Sequence, residues 1–245
     1  MKRLHVVAAL ALIAVFAFDS WALPLLPAGV FRFLERAFVL SGWTQIVVFN
    51  DLFALFSVLY FVALFGIVEA LVIPREEGYL ALLLAKPISR GRYLRMRLLP
   101  VYAALLAQGV ALSGVLTAKL AWINGLDGLS VTSVLAMGVA AMLLAMGLCG
   151  LATLVCLIAH DTYTAVLASF LLFAALVIPA GGSMYRPALY VGHPLAANVL
   201  VFPANVIWAH ASLPSRLPVF VIAALTTMAL GSFASIAWLK RTDVE

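Results

Sequence analysis

Residues 131–180 read VTSVLAMGVAAMLLAMGLCGLATLVCLIAHDTYTAVLASFLLFAALVIPA, and this stretch decides the fold. No side chain from Val131 to Ala159 carries a charge, and the run exceeds the ~20 apolar residues that cross a bilayer as a helix. Only His160-Asp161-Thr162 separates it from a second apolar run, Tyr163 to Ala180. Hydrocarbon offers no water to backbone N–H and C=O groups, so each run must satisfy them internally as a helix. So short a link makes the two helices adjacent and antiparallel.

Further runs lie on either side. The first, Leu4 to Leu23 after Lys2 and Arg3, has the outline of a secretory signal with Ala17 or Ala22 near a cleavage point, yet is long enough to span. A second begins at Ile46 or Asp51 and ends at Ile73. A third covers Leu98 to Trp122 and closes on the turn-like Asn124-Gly125-Leu126-Asp127-Gly128, and the last is Val219 to Leu239. Pro27 to Gln45 mixes Phe31, Phe33, Leu34, Phe38 and Leu40 with Arg32, Glu35 and Arg36, which suits a short helix in the interface. From Gly181 to Pro218 the pattern breaks at Gly182, Pro187, Pro194, Pro203 and Pro214, as re-entrant or non-spanning backbone would. The expected fold is all-α: one polytopic membrane helix bundle over 1–245, with six transmembrane helices and re-entrant or broken helices before the last.

Composition agrees. Hydrophobic residues make up 66% of the 245 residues and charged residues 10%, with a mean hydropathy of +1.16; soluble domains average about 45–50% and about 25%. Six spans leave no room for a large soluble domain. The net charge of +5 comes largely from one short segment between spans, and that placement reports topology before nucleic acid. With the N-terminus inside, the cytoplasmic basic set is Lys2, Arg3, Arg75, Lys86, Arg90, Arg92, Arg95, Arg97, Lys240 and Arg241. The outer set is half as large: Arg32, Arg36, Lys119, Arg186 and Arg216, with Lys119 read as snorkelling from within a span. N- and C-termini are therefore expected on the cytoplasmic side. The first three spans laid on the last three give no internal repeat of the inverted-carrier kind.

Residues 75–97 read REEGYLALLLAKPISRGRYLRMR. Glu76 and Glu77 suit a helix N-terminus, Leu80 to Leu84 form an apolar helix too short to span, Pro87 stops it, and Ser89 suits the cap of the next helix. The plain reading is a positive-inside loop with an interfacial helix. The string also resembles the type 2 ABC-transporter permease family, in which the second span is followed by a Glu-rich turn, Gly, a Leu-rich helix, Pro, Ser and Arg. Here those positions are Glu76, Glu77, Gly78, Leu80, Leu82, Leu83, Leu84, Pro87, Ser89 and Arg90. The usual Thr after the motif Gly is Tyr79, and the Gly-Lys opening of the third span is Met96-Arg97, departures that bear on the subfamily.

The resemblance implies a permease subunit whose coupling helix, about 75–90, docks on a separate ATP-binding cassette ATPase. It implies a second permease copy or a homologous permease as dimer partner, and a transport route between the first, second and fifth spans. ATP and Mg would sit on the partner subunit. The expected location is the bacterial inner membrane, the expected direction export, and copper-enzyme maturation, haem, drug and polysaccharide systems are all compatible cargo classes. The chain has no Gly-x-x-x-x-Gly-Lys-Ser/Thr phosphate loop, and Leu40-Ser41-Gly42 falls in an outer segment, so no ATPase site and no enzyme activity are expected. The alternatives are a non-transporting scaffold and a secondary carrier.

Asp19, Asp51 and Glu69 are the intramembrane polar candidates, since carboxylates in spans are costly. Asp19 and Asp51 also read as interfacial, solvated at helix ends. Glu69 lies six residues before Arg75, about 9 Å along a helix, close enough to pair at the inner rim. Cys149 and Cys156 share a helix face as small packing residues. Met137, Met142 and Met146 read as core, and His160, His193 and His210 lack the neighbours a metal needs.

Overall fold

A computed structural model describes residues 2–38, 43–78, 89–124, 130–185 and 213–241. Every regular element among them is helical: α1 (Lys2–Ala22), a 3-10 turn at Leu23–Leu25, α2 (Ala28–Phe38), α3 (Trp43–Leu71), α4 (Ile73–Glu76), α5 (Arg90–Lys119) continued by a π-helical turn at Leu120–Asn124, α6 (Val131–Ile158), α7 (Thr162–Tyr185) and α8 (Leu213–Arg241). Among the described residues four stretches are long and apolar enough to cross a membrane: His5–Leu25, Ile46–Glu76, Arg90–Trp122 and Val131–Ile158. Shorter described apolar stretches lie in α7, Thr162–Ala175, and in α8, Ala224–Leu239. The chain is a membrane-spanning helical bundle.

Several boundaries differ from the sequence reading. The apolar run from Leu98 is the later part of α5, which starts at Arg90 as the Ser89 cap implied: the Ser89 hydroxyl accepts from the Arg92 N–H at 3.3 Å and arginine is a good helix former. The broken region is shorter than 181–218. α7 runs past Gly181 and Gly182 to Tyr185, and α8 begins at Leu213, where Pro214 sits in the first turn and loses no intrahelical bond. Residues 186–212, with His193 and His210, lie outside the described residues, as do 79–88. Within the Pro27–Gln45 stretch a short helix forms as α2, over Ala28–Phe38.

α6 is the hub, packed against α8, α3, α5 and α7, while α3 packs on α5 and α1. Small residues make these contacts close. A Cβ on Gly150 would lie 2.7 Å from the Met228 Cα, and one on Gly138 would lie 2.7 Å from the Ser113 Cβ. Such approaches replace the missing hydrophobic drive with dispersion contacts in lipid. The glycines of α6 therefore serve contacts within this chain. Around them Leu55, Leu59, Tyr60, Leu64, Met137, Ala140 and Cys149 form the core. Val6, Leu10, Phe18 and Trp21 of α1 are exposed, which costs nothing against acyl chains.

Contacts fix the helix directions. His5 bonds Gln108 at 2.9 Å and Asp19 meets Lys119, so α1 and α5 run the same way. Asp51, near the start of α3, reaches Lys119 at the end of α5. At the opposite end, α3 and α4 finish beside the end of α6 and the start of α7. One end of the bundle thus carries the starts of α1, α5 and α7 and the ends of α3 and α6.

Candidate functional site

Two clusters of polar side chains stand out, one at each end of the bundle. The first surrounds the tight turn between α6 and α7. The last carbonyls of a helix and its first N–H groups have no intrahelical partner, and this turn brings both kinds together. Arg75 donates from Nη1 to the Leu157 carbonyl at 2.8 Å, a cation at a helix C-terminus. Glu76 next to it accepts from the Thr162 N–H and, at 2.7 Å, from the Thr162 hydroxyl, a carboxylate at a helix N-terminus. Both placements suit the helix dipole.

Asp161 completes the turn, accepting from the Thr164 N–H at 2.8 Å and from its hydroxyl at 2.7 Å. These bonds hold its carboxyl below the usual carboxylate range. The stabilisation is present above the unfolded carboxyl's pKa and is lost as pH falls through the lowered folded value. Protection of the Thr164 amide in hydrogen exchange, corrected for intrinsic rate, should therefore fall on acidification, and Asp161→Ala should abolish that pH dependence.

Beyond Glu76 the chain turns out through Gly78, whose φ of +74° lies in the left-handed region, open to glycine without a Cβ penalty. Its N–H bonds the Arg75 carbonyl at 3.0 Å. Glu77 is exposed, and Ser89 caps α5 as its sequence position suggested. Leu80, Leu82, Leu83 and Pro87 fall outside the described residues; Arg90 opens α5.

The second cluster lies where α1 and α5 finish. The Lys119 ammonium sits 2.6 Å from Asp19 Oδ1 and 2.6 Å from Asp51 Oδ2. All three residues are buried: Asp51 is 0% exposed, Asp19 5% and Lys119 7%. Lys119 therefore does not snorkel to the surface, and Asp19 and Asp51 are not solvated helix ends. Two carboxylates at matching depth on neighbouring helices hold the cation inside. Asn50 donates to Asp19 Oδ2 at 3.2 Å, Ser20 to Asp19 Oδ1 at 3.3 Å, and the ammonium lies 5.7 Å from the Phe16 ring centre. Asp51 Oδ1 is buried and receives no hydrogen bond.

Glu69 is exposed on α3. The cysteines are free and buried, Cys149 beside the Tyr60 carbonyl and Cys156 beside the Ser169 hydroxyl. Met137 and Met142 are buried and Met146 packs against the same core. Among the described residues no three of His, Cys, Asp and Glu are grouped as a metal site would require.

No sequence-family model, no curated protein and no solved structure matches the chain.

Proposed function

We propose that the chain is the membrane-spanning permease subunit of an ABC transporter, moving its substrate across a bacterial inner membrane with ATP hydrolysed on a separate subunit. In this reading six helices span, both termini are cytoplasmic, and two permease subunits pair. The observation that carries it is the bracketing of the α6–α7 turn by Arg75 and Glu76. A coupling element must pass force from outside the membrane into the spans. The segment that leaves at Gly78 and returns at Ser89 is continuous with α3 and α5, and Arg75 and Glu76 tie its root to α6 and α7. A push on residues 79–88 is thereby delivered to four spans at once.

The test is the double substitution Leu82→Asp/Leu83→Asp, which places charge on the apolar surface the ATPase would receive. Co-purification of the ATPase should be lost while the bundle keeps its helix content. Undiminished association would reject the docking surface.

A secondary carrier is the second reading, favoured by the buried charges of Asp19, Asp51 and Lys119, since ionisable groups inside spans are found along ion pathways. Transport in vesicles that follows an ion gradient and ignores ATP would select it.

A further inference from the structure

The cluster at the far end of the bundle has an imbalance that the transport reading does not use. Two carboxylates share one ammonium, and among the described residues no other charged side chain is bonded to them. α6 and α7 contain no charged residue over Val131–Ile158 and Thr162–Tyr185, nor does the turn Leu120–Asn124. α2, with Arg32 and Glu35, packs on α7. If all three groups are ionised, the cluster is left with one negative charge in a low-dielectric setting, where an uncompensated charge is costly.

The hydrogen bonds locate that charge. Asp19 Oδ1 accepts from Lys119 and Ser20, Asp19 Oδ2 from Asn50, and Asp51 Oδ2 from Lys119. Asp51 Oδ1 accepts from nothing and is sealed from solvent. Three of four carboxylate oxygens are satisfied, and the fourth belongs to the most deeply buried residue of the set. One vacant oxygen suits a proton, which makes a single O–H bond. A metal cation needs about six or more oxygen ligands and would meet the Lys119 ammonium at the same carboxylate.

We propose that Asp51 is a proton-binding site: the Asp19–Lys119–Asp51 cluster takes up one proton, which forms the O–H bond of an Asp51 carboxylic acid and leaves Asp19 and Lys119 as a neutral pair. No electron moves and no group leaves. The cluster joins α3 to α1 and α5, so gain and loss of this proton changes how tightly α3 is held at that end. Release of the proton restores a carboxylate that grips Lys119 from the α3 side, and uptake weakens that grip. The inference holds for an ATP-driven permease and for a carrier alike, because it rests on the cluster alone.

Infrared difference spectroscopy of the intact chain in lipid nanodiscs tests it. Above about pH 6 exposed carboxyls are ionised, so a carboxylic acid C=O band remaining there reports a buried protonated group. The wild type should carry this band and lose it on further alkalinisation. Asp51→Asn should remove it, and so should Asp19→Asn, because one remaining carboxylate with Lys119 is already neutral. The amide bands of the same spectra report whether each variant is folded. A wild type without the band anywhere above about pH 6 overturns the proposal, as does a band that survives in folded Asp51→Asn. Replacing potassium with sodium should leave the band unchanged; its loss on adding sodium would assign the vacant oxygen to a metal cation and reject the proton.

Discussion

Lys119→Met should cost about 3–5 kcal/mol of unfolding free energy, the range for removing one partner of a buried ion pair. The methionine fills similar space, but Asp19 and Asp51 are left facing each other without the ammonium that sits 2.6 Å from each. Denaturant unfolding in mixed micelles, followed by circular dichroism, measures the loss. Replacing the whole set, Asp19→Leu/Asp51→Leu/Lys119→Met, should recover most of it, because apolar replacements of a buried ion pair are often neutral or stabilising. A Lys119→Met protein as stable as the wild type would mean that the two carboxylates do not depend on the cation.

Gly231→Ala should separate α8 from α6. A Cβ at Gly231 would run into the Gly150 carbonyl, a backbone group that cannot rotate aside, and one at Gly150 would meet Met228 backbone at 2.7 Å. Overpacking of this kind costs about 1–3 kcal/mol, and more where backbone must move. Gly114→Ala is the control: in α5, with nothing within 4 Å of the added Cβ, it should stabilise the helix by about 0.5–1 kcal/mol. The same unfolding measurement on the pair separates a packing contact from a general dislike of side chains at these positions. Equal effects of both substitutions would remove the close α6–α8 contact from the account.

The helices were legible because lipid leaves the backbone few choices: strongly apolar runs of sufficient length mark α1, α3, α5 and α6 wherever they fall, even where one or two charges interrupt them. Cap chemistry at Ser89 was readable for the same local reason. Helix ends were less legible where glycine and proline interrupt the pattern, as at Gly181, Gly182 and Pro214, which α7 and α8 include. The charge cluster was half visible. Asp19 and Asp51 were marked as unusual, but each was weighed alone against its own helix end, and Lys119 was assigned to the surface. A burial partner 68 or 100 residues away leaves no periodic trace. The available signal was that all three sit at the same end of their spans once alternating topology is drawn. The bond from Glu76 to Thr162 was hidden in the same way, since a motif read as a docking surface turned out to begin with residues that cap helices of this chain.

The central claim is that residues between Gly78 and Ser89 receive an ATPase subunit, and the most direct measurement compares wild type with Leu82→Asp/Leu83→Asp after gentle solubilisation from native membranes. The wild type should retain, in stoichiometric amount, a soluble protein carrying the Gly-x-x-x-x-Gly-Lys-Ser/Thr phosphate loop, with ATP hydrolysis in the purified complex. The double variant should lose both while its helix content is unchanged. Wild-type complexes devoid of any phosphate-loop protein, or a variant that keeps its ATPase, would contradict the claim.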